Sequence, residues 1–264
     1  MDLTVLHACA FEDNYIWLAT TDDTGTGIDG RDCVIIDPGD ADATLAALEK
    51  HSLRPRTIFC THKHGDHVGG VRELAQQFSV PVYGPSNESI RDLTHPVNGG
   101  ETIAIDGIGK FSVLATPGHT NGHISYVGGN ALFCGDTLFS SGCGRLFDGT
   151  AAQLFESLSR LAQLPGETRV YCAHEYTLSN LAFAQTVEPG NPDIAPYIKE
   201  CQVNRKQQRP TLPSSISREL KINPFLRTDI DEVKASTERQ AGRPLDSAVE
   251  IFTELRKWKD RFTG

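Results

Sequence analysis

Four side chains that can bind a transition metal lie within six residues of one another. Residues 61–67 read Thr-His-Lys-His-Gly-Asp-His and follow the short apolar run 57–60. Neither a helix nor a strand would point all four side chains at one place, so we expect a loop that leaves a strand end. Imidazole and carboxylate together favour a transition metal over calcium or magnesium. The predicted ligands are His62, His64, Asp66 and His67.

Three more candidate ligands follow, each just beyond an apolar run or in a glycine turn: His119, Asp136 and His174. One tetrahedral zinc needs only three or four protein ligands, so a set of seven predicts two ions, with the two oxygens of Asp136 as the natural bridge. Two ions roughly 3.5–4 Å apart can hold a water, lower its pKa and polarise an acyl or phosphoryl oxygen. The pattern therefore predicts a hydrolytic site. Three histidines without comparable neighbours are left out of it: His7, His51 and His95. His123 is also left out, because it opens the next apolar run and is expected to pack.

The elements that must position these ligands change in character along the chain. Short β-rich runs such as 33–36, 57–60 and 131–134 recur through the first two-thirds, with helical periods between them. Beyond Cys172 the strand signals fade and apolar residues repeat at helical spacing, with prolines between the repeats. This pattern predicts a mixed α/β region followed by a small helical region.

Composition narrows the function classes. The 264 residues carry a net charge of −9, which argues against nucleic acid or an anionic membrane as a partner. Residues 1–173 hold 11 basic and 21 acidic side chains, whereas residues 174–264 hold 14 and 13. No apolar run approaches the roughly 18 residues of a membrane span, and the seven cysteines form no C-x-x-C pair. We expect a soluble, cytoplasmic monomer.

The ligand order resembles that of the metallo-β-lactamase superfamily. Longer stretches resemble the glyoxalase II, or hydroxyacylglutathione hydrolase, family from near the first residue to the last: 11–17, 37–40, 115–120, 133–149, 173–177 and 257–262. The resemblance implies an α/β fold, an αββα sandwich with a small C-terminal α-helical domain. It implies a catalytic domain over residues 1–173 and a helical glutathione-binding domain over residues 174–264.

The resemblance also implies a reaction. Family members hydrolyse S-D-lactoylglutathione to D-lactate and glutathione, the second step of methylglyoxal detoxification. One ion would be held by His62, His64 and His119, the other by Asp66, His67 and His174, with Asp136 bridging. Asp66 and Asp136 would be catalytic in holding the metal-bound hydroxide that attacks the thioester carbonyl. Zinc is favoured, with iron and manganese as alternatives, because the mixed nitrogen and oxygen ligands suit all three.

Positions that match the family's substrate contacts are Arg145, Phe147, Tyr176, Arg256 and Lys259. Eukaryotic members tend to have a tyrosine where this chain has Phe147, which leaves packing as the role of this ring. Asp37, in an Asp-Pro-Gly turn, is expected to orient a ligand histidine. The implied partner is a small glutathione thioester.

Another enzyme class on the same fold stays open. A glutathione persulfide dioxygenase binds one iron through two histidines and an aspartate, whereas here all seven hydrolase ligands are present. The acidic charge speaks against an RNA-processing nuclease of the superfamily. The C-terminal match speaks against a lactonase or a β-lactamase, and a catalytically dead binding module predicts a broken ligand set.

Overall fold

The computed structural model describes residues 2–21 and 30–263. The chain forms two compact units. The first comprises Met1–Thr116 and Gly122–Gly135, and the second comprises Pro117–Asn121 and Asp136–Gly264. The chain therefore enters the second unit briefly, returns to the first and then leaves it for good.

A six-stranded mixed sheet forms one layer of the first unit. Its strands follow one another in chain order, antiparallel from the first to the third and parallel from the third to the sixth. Parallel strands buried on both faces are continuously apolar, which explains the predicted runs 33–36 and 57–60. The strands are β1 (Thr4–Ala10), β2 (Asn14–Thr20), β3 (Arg31–Ile36), β4 (Leu53–Phe59), β5 (Val82–Pro85) and β6 (His95–Val97).

A second set of strands in the first unit forms an antiparallel meander: β7 (Thr102–Ile105), β8 (Gly109–Ala115), β9 (Ile124–Gly128) and β10 (Ala131–Gly135). Its inner face packs on the six-stranded sheet. The ring of Phe59 in β4 stacks on Tyr126 in β9 at 4.4 Å between centroids and meets Phe111 in β8 at 5.1 Å. These contacts form the core between the two sheets.

Helices cover the other face of the six-stranded sheet: α1 (Ala41–His51), α2 (Gly65–Val68) and α3 (Val71–Phe78). Asp40 caps α1 by accepting a hydrogen bond from the Ala43 N–H at 2.9 Å. Leu48 of α1 and Leu74 of α3 pack into one apolar cluster with Ile35 and Ile58. Val71, the first residue of α3, belongs to the same cluster.

The second unit is mostly helical. The antiparallel strands β11 (Leu138–Phe139) and β12 (Gly142–Cys143) form a hairpin, and β13 (Arg169–Cys172) pairs with β14 (Ser214–Ser215). Thr150 and Gln153 form a capping box at the start of the first helix of this unit. The helices are α4 (Ala151–Leu161), α5 (Thr177–Val187), α6 (Ile194–Lys206), α7 (Ile216–Ile222), α8 (Asp231–Ala241) and α9 (Ala248–Arg261), with a 3-10 turn at Pro224–Leu226.

The core of the second unit joins these helices. Leu181 and Ala184 of α5 pack with Ile194 and Tyr197 of α6 and with Ile222 of α7. The helical repeats predicted beyond Cys172 are confirmed. Within residues 2–21 and 30–263, no helix is both long enough and apolar enough to cross a lipid bilayer.

Candidate active site

The predicted ligand loop leaves the carboxyl end of β4 and runs into the short helix α2. His62 and His67 are buried. His62 Nε2 lies 3.0 Å from His64 Nδ1, and His67 Nε2 lies 3.4 Å from Asp66 Oδ2. The first unit thus brings its four predicted ligands together in two pairs, one of two imidazoles and one of an imidazole and a carboxylate.

Asp37 orients one of these histidines. It lies just beyond β3 with a backbone φ of 51°, in the left-handed region. Its carboxylate accepts hydrogen bonds from the Thr61 N–H and hydroxyl, both at 2.7 Å, and from His67 Nδ1 at 3.0 Å. The contact with His67 leaves Nε2 of that ring facing Asp66. The predicted contact between Asp37 and a ligand histidine is present, and such contacts fix the tautomer and direction of a ligand ring.

Two supporting residues were missed by the sequence reasoning. Glu88 accepts hydrogen bonds from the Lys63 N–H at 2.6 Å and the Gly122 N–H at 3.1 Å, which ties the ligand loop to the segment before β9. Asn14 Nδ2 donates to Asp66 Oδ2 at 3.0 Å. A bond to a backbone N–H of a distant residue produces no side-chain pattern, so the sequence holds no signal for Glu88.

His123, left out of the predicted site, packs against it. Its ring stacks on His62 at 4.9 Å between centroids, and its Nδ1 lies 3.0 Å from the Thr116 hydroxyl. The packing role expected for His123 is confirmed.

In the second unit, Asp136 lies between two predicted histidine ligands. Its Oδ2 is 3.4 Å from His119 Nε2, and its Oδ1 is 3.3 Å from His174 Nε2. His119 Nδ1 donates to the Arg145 carbonyl at 2.8 Å, so Nε2 of this ring faces the carboxylate. All three ligand candidates are buried. The second unit therefore brings together all three of its predicted ligands.

These spacings suit a divalent transition metal. Two donor atoms at about 2.0–2.1 Å from a tetrahedral ion are about 3.3–3.4 Å apart. The donor pairs within the two units are 3.0–3.4 Å apart. Three of these pairs combine an imidazole nitrogen with a carboxylate oxygen, and the fourth combines two imidazole nitrogens. The residues present fit the predicted metal chemistry in both spacing and donor type.

Two glycines allow the close approach of backbone to these ligands. Gly144 has no room for a side chain, because a Cβ there would lie 1.9 Å from the Asp136 carbonyl oxygen. Gly118, next to His119, has a φ of 145°, and a Cβ there would lie 2.5 Å from Leu154 Cα. Both positions require glycine.

Tyr176 and Lys259 are both partly buried. The Tyr176 ring stacks on His174 at 4.8 Å between centroids. Lys259 Nζ in α9 donates to the Ser179 carbonyl at 3.2 Å and lies 5.6 Å from the Phe183 ring. Burial, reinforced by the nearby positive charge of Arg256, lowers the pKa of Lys259 to about 8.

The remaining predicted substrate contacts differ in exposure. Arg145 is exposed and lies 4.0 Å from Asp260. Phe147 is 66% exposed, and its ring meets His119 edge-on at 5.0 Å. Arg256, in contrast, is only 4% exposed, and it donates to the Cys143 carbonyl at 2.8 Å and to Asp260 at 3.0 Å. This geometry supports a role for Arg256 in holding the β11–β12 hairpin.

Two family models together match most of the chain. Residues 26–174 match the metallo-beta-lactamase superfamily, and residues 175–262 match the hydroxyacylglutathione hydrolase C-terminus. A hydroxyacylglutathione hydrolase of Aliivibrio fischeri strain MJ11 is 52% identical over 262 residues, which cover 98% of this chain and 100% of the relative.

Solved structures show the same metallo-β-lactamase fold. The crystal structure of ETHE1 from Myxococcus xanthus has a TM-score of 0.63 and 26% identity, covering 98% of each chain. The crystal structure of TTHA1623 in a di-iron-bound form has a TM-score of 0.51 and 32% identity, covering 63% of this chain and 90% of the other.

Proposed function

We propose that this chain, which belongs to the hydroxyacylglutathione hydrolase family of the metallo-β-lactamase superfamily, is an enzyme. It hydrolyses S-(2-hydroxyacyl)glutathione thioesters. S-D-lactoylglutathione would yield D-lactate and glutathione. The observation that carries the proposal is the match to a hydrolase of that name over nearly the whole length of both chains. The intact set of seven ligand candidates supports it.

The proposed cofactors are two divalent ions, zinc in the first instance and iron or manganese as alternatives. His62, His64 and His119 would bind one ion, Asp66, His67 and His174 the other, and Asp136 would bridge. The di-iron form of one structural relative supports binding of two ions. When bound, the ions would supply Lewis acidity and a water of lowered pKa.

The chain's own groups prepare the site for this chemistry. Asp37 and the Arg145 carbonyl hold His67 and His119 by their Nδ1 atoms, so that each ring offers Nε2. Asp66 and Asp136 add negative charge and oxygen donors. The leaving group is a thiolate whose pKa is near the roughly 8.5 of cysteine, so no strong general acid is needed.

Recognition of the anionic glutathione moiety falls to the second unit in this proposal. Arg145, Lys259 and Tyr176 would contact the substrate, and Phe147 would supply an apolar surface beside His119. Arg256 would act through the Cys143 carbonyl because its own guanidinium is buried. Charge-assisted hydrogen bonds from Arg and Lys are strong where water is excluded.

The proposal includes a division of labour along the sequence, with residues 1–173 as the catalytic domain and residues 174–264 as the glutathione-binding domain. The two family models meet at residues 174 and 175, which supports that boundary. We further propose that the enzyme acts as a cytoplasmic monomer without a nucleic-acid or membrane partner.

The persulfide dioxygenase alternative predicts a different result. The dioxygenase requires one iron per chain and consumes oxygen. The hydrolase does not depend on iron and consumes no oxygen. The name of the full-length relative favours the hydrolase. Counting metals per chain by elemental analysis and following oxygen with an electrode separates the two activities.

The direct test is thioester cleavage. Purified protein is mixed with S-D-lactoylglutathione, and thiol release is followed before chelation, after chelation and after zinc is restored. We expect release that chelation abolishes and zinc restores. No thioester cleavage by a sample shown to contain two metals per chain would overturn the proposal.

A further inference from the structure

The β11–β12 hairpin lies in the sequence between two parts of the candidate site. It begins two residues after Asp136 and ends two residues before Arg145, whose carbonyl orients His119. The Gly144 N–H donates to the Thr137 carbonyl at 3.2 Å and closes the base of the hairpin. A shift of this hairpin would therefore move the Asp136 carboxylate and the acceptor of the His119 N–H together.

Helices of the second unit bind the backbone of this hairpin. Asn223, at the end of α7, donates through Nδ2 to the carbonyls of Phe139 at 3.1 Å and Gly142 at 2.9 Å. Asn180 of α5 donates to the Ser140 carbonyl at 3.1 Å. Each amide therefore gives one part of the hairpin backbone a side-chain donor that is fixed on a helix of the second unit.

Glu219 of α7 is at the centre of these contacts. It is fully buried, and its Oε2 accepts from the Ser141 N–H at 2.7 Å and from Asn223 Nδ2 at 3.0 Å. Its Oε1 accepts from the hydroxyls of Ser140 at 3.1 Å and Ser214 at 2.5 Å. Burying a carboxyl group among apolar neighbours is costly unless donors surround it, and here four donors do.

The turn that Glu219 holds has an unusual backbone. Ser141 has a φ of 56°, a left-handed conformation that non-glycine residues adopt at a cost. The hydrogen bond from its N–H to Glu219 is 2.7 Å long. Glu219 therefore gives the Ser141 N–H a fixed acceptor in this left-handed conformation.

We propose that Glu219 is a positioning residue for the metal site. By holding the Ser140–Ser141 turn together with Asn223, it sets where the hairpin places Asp136 and the Arg145 carbonyl. This inference rests on the proposed function to the extent that His119 and Asp136 bind metal. It assigns to the helical part of the chain a task in the metal chemistry besides glutathione recognition.

Two substitutions separate the hydrogen bonding of Glu219 from its volume. Glu219→Met keeps a long unbranched side chain but offers no acceptor to the Ser141 N–H or to Asn223. Glu219→Gln keeps one oxygen for those two donors, and its amide can donate to the hydroxyls of Ser140 and Ser214, which accept as well as donate. Glu200→Met on α6, an exposed carboxylate, is the matched control.

The experiment measures zinc affinity by competition with a chromophoric chelator, together with kcat, KM and urea unfolding of the metal-free protein. We expect Glu219→Met to weaken zinc binding about 10- to 100-fold, the range typical for residues that orient ligands. Its kcat should fall more than its KM rises. Glu219→Gln should recover most of the affinity, and Glu200→Met should match the unsubstituted protein.

The proposal would be overturned if Glu219→Met is less stable but has the same zinc affinity and kcat as the unsubstituted protein. If the unsubstituted protein itself binds no zinc, the proposed metal function fails instead. Should Glu219→Met not fold, Ser140→Ala combined with Asn180→Ala removes one contact of the turn with Glu219 and one with α5. Glu219 keeps its other three donors in that variant. Zinc affinity unchanged in that double variant would then overturn the inference.

Discussion

The two units supply metal ligands in different ways. In the first unit, four candidate ligands come from one continuous segment, His62 to His67, that leaves a strand of the central sheet. In the second unit, His119, Asp136 and His174 come from three separate segments. The first set is assembled by local backbone geometry, whereas the second depends on contacts between residues far apart in sequence.

The supporting groups differ in the same way. The loop of the first unit is held by Asp37 and Glu88, both of which bond to its backbone or to His67. The ligands of the second unit depend on the 137–145 segment, which the helices hold through Glu219, Asn223 and Arg256. Ligands that are close in sequence therefore need few hydrogen bonds from other segments. Ligands from separate segments need several such hydrogen bonds to hold the backbone between them.

The largest expected effect comes from a comparison of substitutions at Asp136 and Asp66. Asp136→Asn should lower kcat about 1000-fold, or about 4 kcal/mol of transition-state stabilisation, since the proposed bridge is lost. Asp66→Asn, whose side chain is 41% exposed, should lower kcat less, by about 100-fold. Kinetics and metal counts for both variants check this order. Equal losses would show that the dispersed and the compact ligand sets contribute alike.

The next effect concerns support of the compact loop. Asp37→Asn places an amide where the carboxylate now accepts from Thr61 and His67, so one of these donors loses its acceptor. Metal affinity should fall about 10- to 100-fold. Chelator competition measures it, with Asp42→Asn on the adjacent helix as the control. Unchanged affinity would mean that the loop holds its ligands without Asp37.

A smaller effect concerns substrate binding by the second unit. Lys259→Ala should raise KM for S-D-lactoylglutathione about tenfold with little change in kcat, because a binding contact common to ground and transition states is removed. Lys257→Ala, an exposed lysine on the same helix, serves as the control. An unchanged KM for Lys259→Ala would remove Lys259 from the glutathione site.

The lowered pKa of Lys259 adds a pH test to the same variant. The ammonium form binds a carboxylate, so substrate binding is strongest below the pKa of about 8 and weakens as the pH rises through it. KM should therefore rise above about pH 8 in the unsubstituted protein and in Lys257→Ala. In Lys259→Ala this rise should be absent, and a rise that persists there would assign it to another group.

The smallest expected effect is at Phe147. Phe147→Ala removes an exposed ring that meets His119 edge-on. Because an aromatic contact of this kind is weak, we expect KM to rise only about threefold. Because the ring is exposed, unfolding by urea should hardly change. A large loss of metal affinity would instead show that the ring supports His119.

Much of the fold follows from sequence patterns because those patterns are local. The apolar runs 33–36 and 57–60 are buried strands, and the repeats beyond Cys172 are helices. The hairpin at 138–143 was not predicted, since its two-residue strands are too short for a period to be visible. Nor was the short β14, which forms only by pairing with β13 across about 40 residues of sequence.

In the candidate site too, contacts between neighbouring turns were predicted and contacts that depend on helix packing were not. The predicted contact of Asp37 with a ligand histidine is present, since an Asp-Pro-Gly turn after one strand lies beside the loop after the next. Arg256 was predicted as a substrate contact because it matches such a position in the family that the chain resembles. Its burial under Cys143 depends on how α9 packs, which helical spacing does not describe.

By itself, the sequence determined which residues are candidate ligands, the helical character of the last third and the family, because residue types and short spacings carry that information. Only the tertiary structure decided that His67 and His119 each present Nε2, and not Nδ1, to a candidate ligand carboxylate. It alone decided that Glu219 and Asn223 hold the hairpin. The physical reason is that hydrogen bonds between distant segments depend on packing in three dimensions, which leaves no period in the chain.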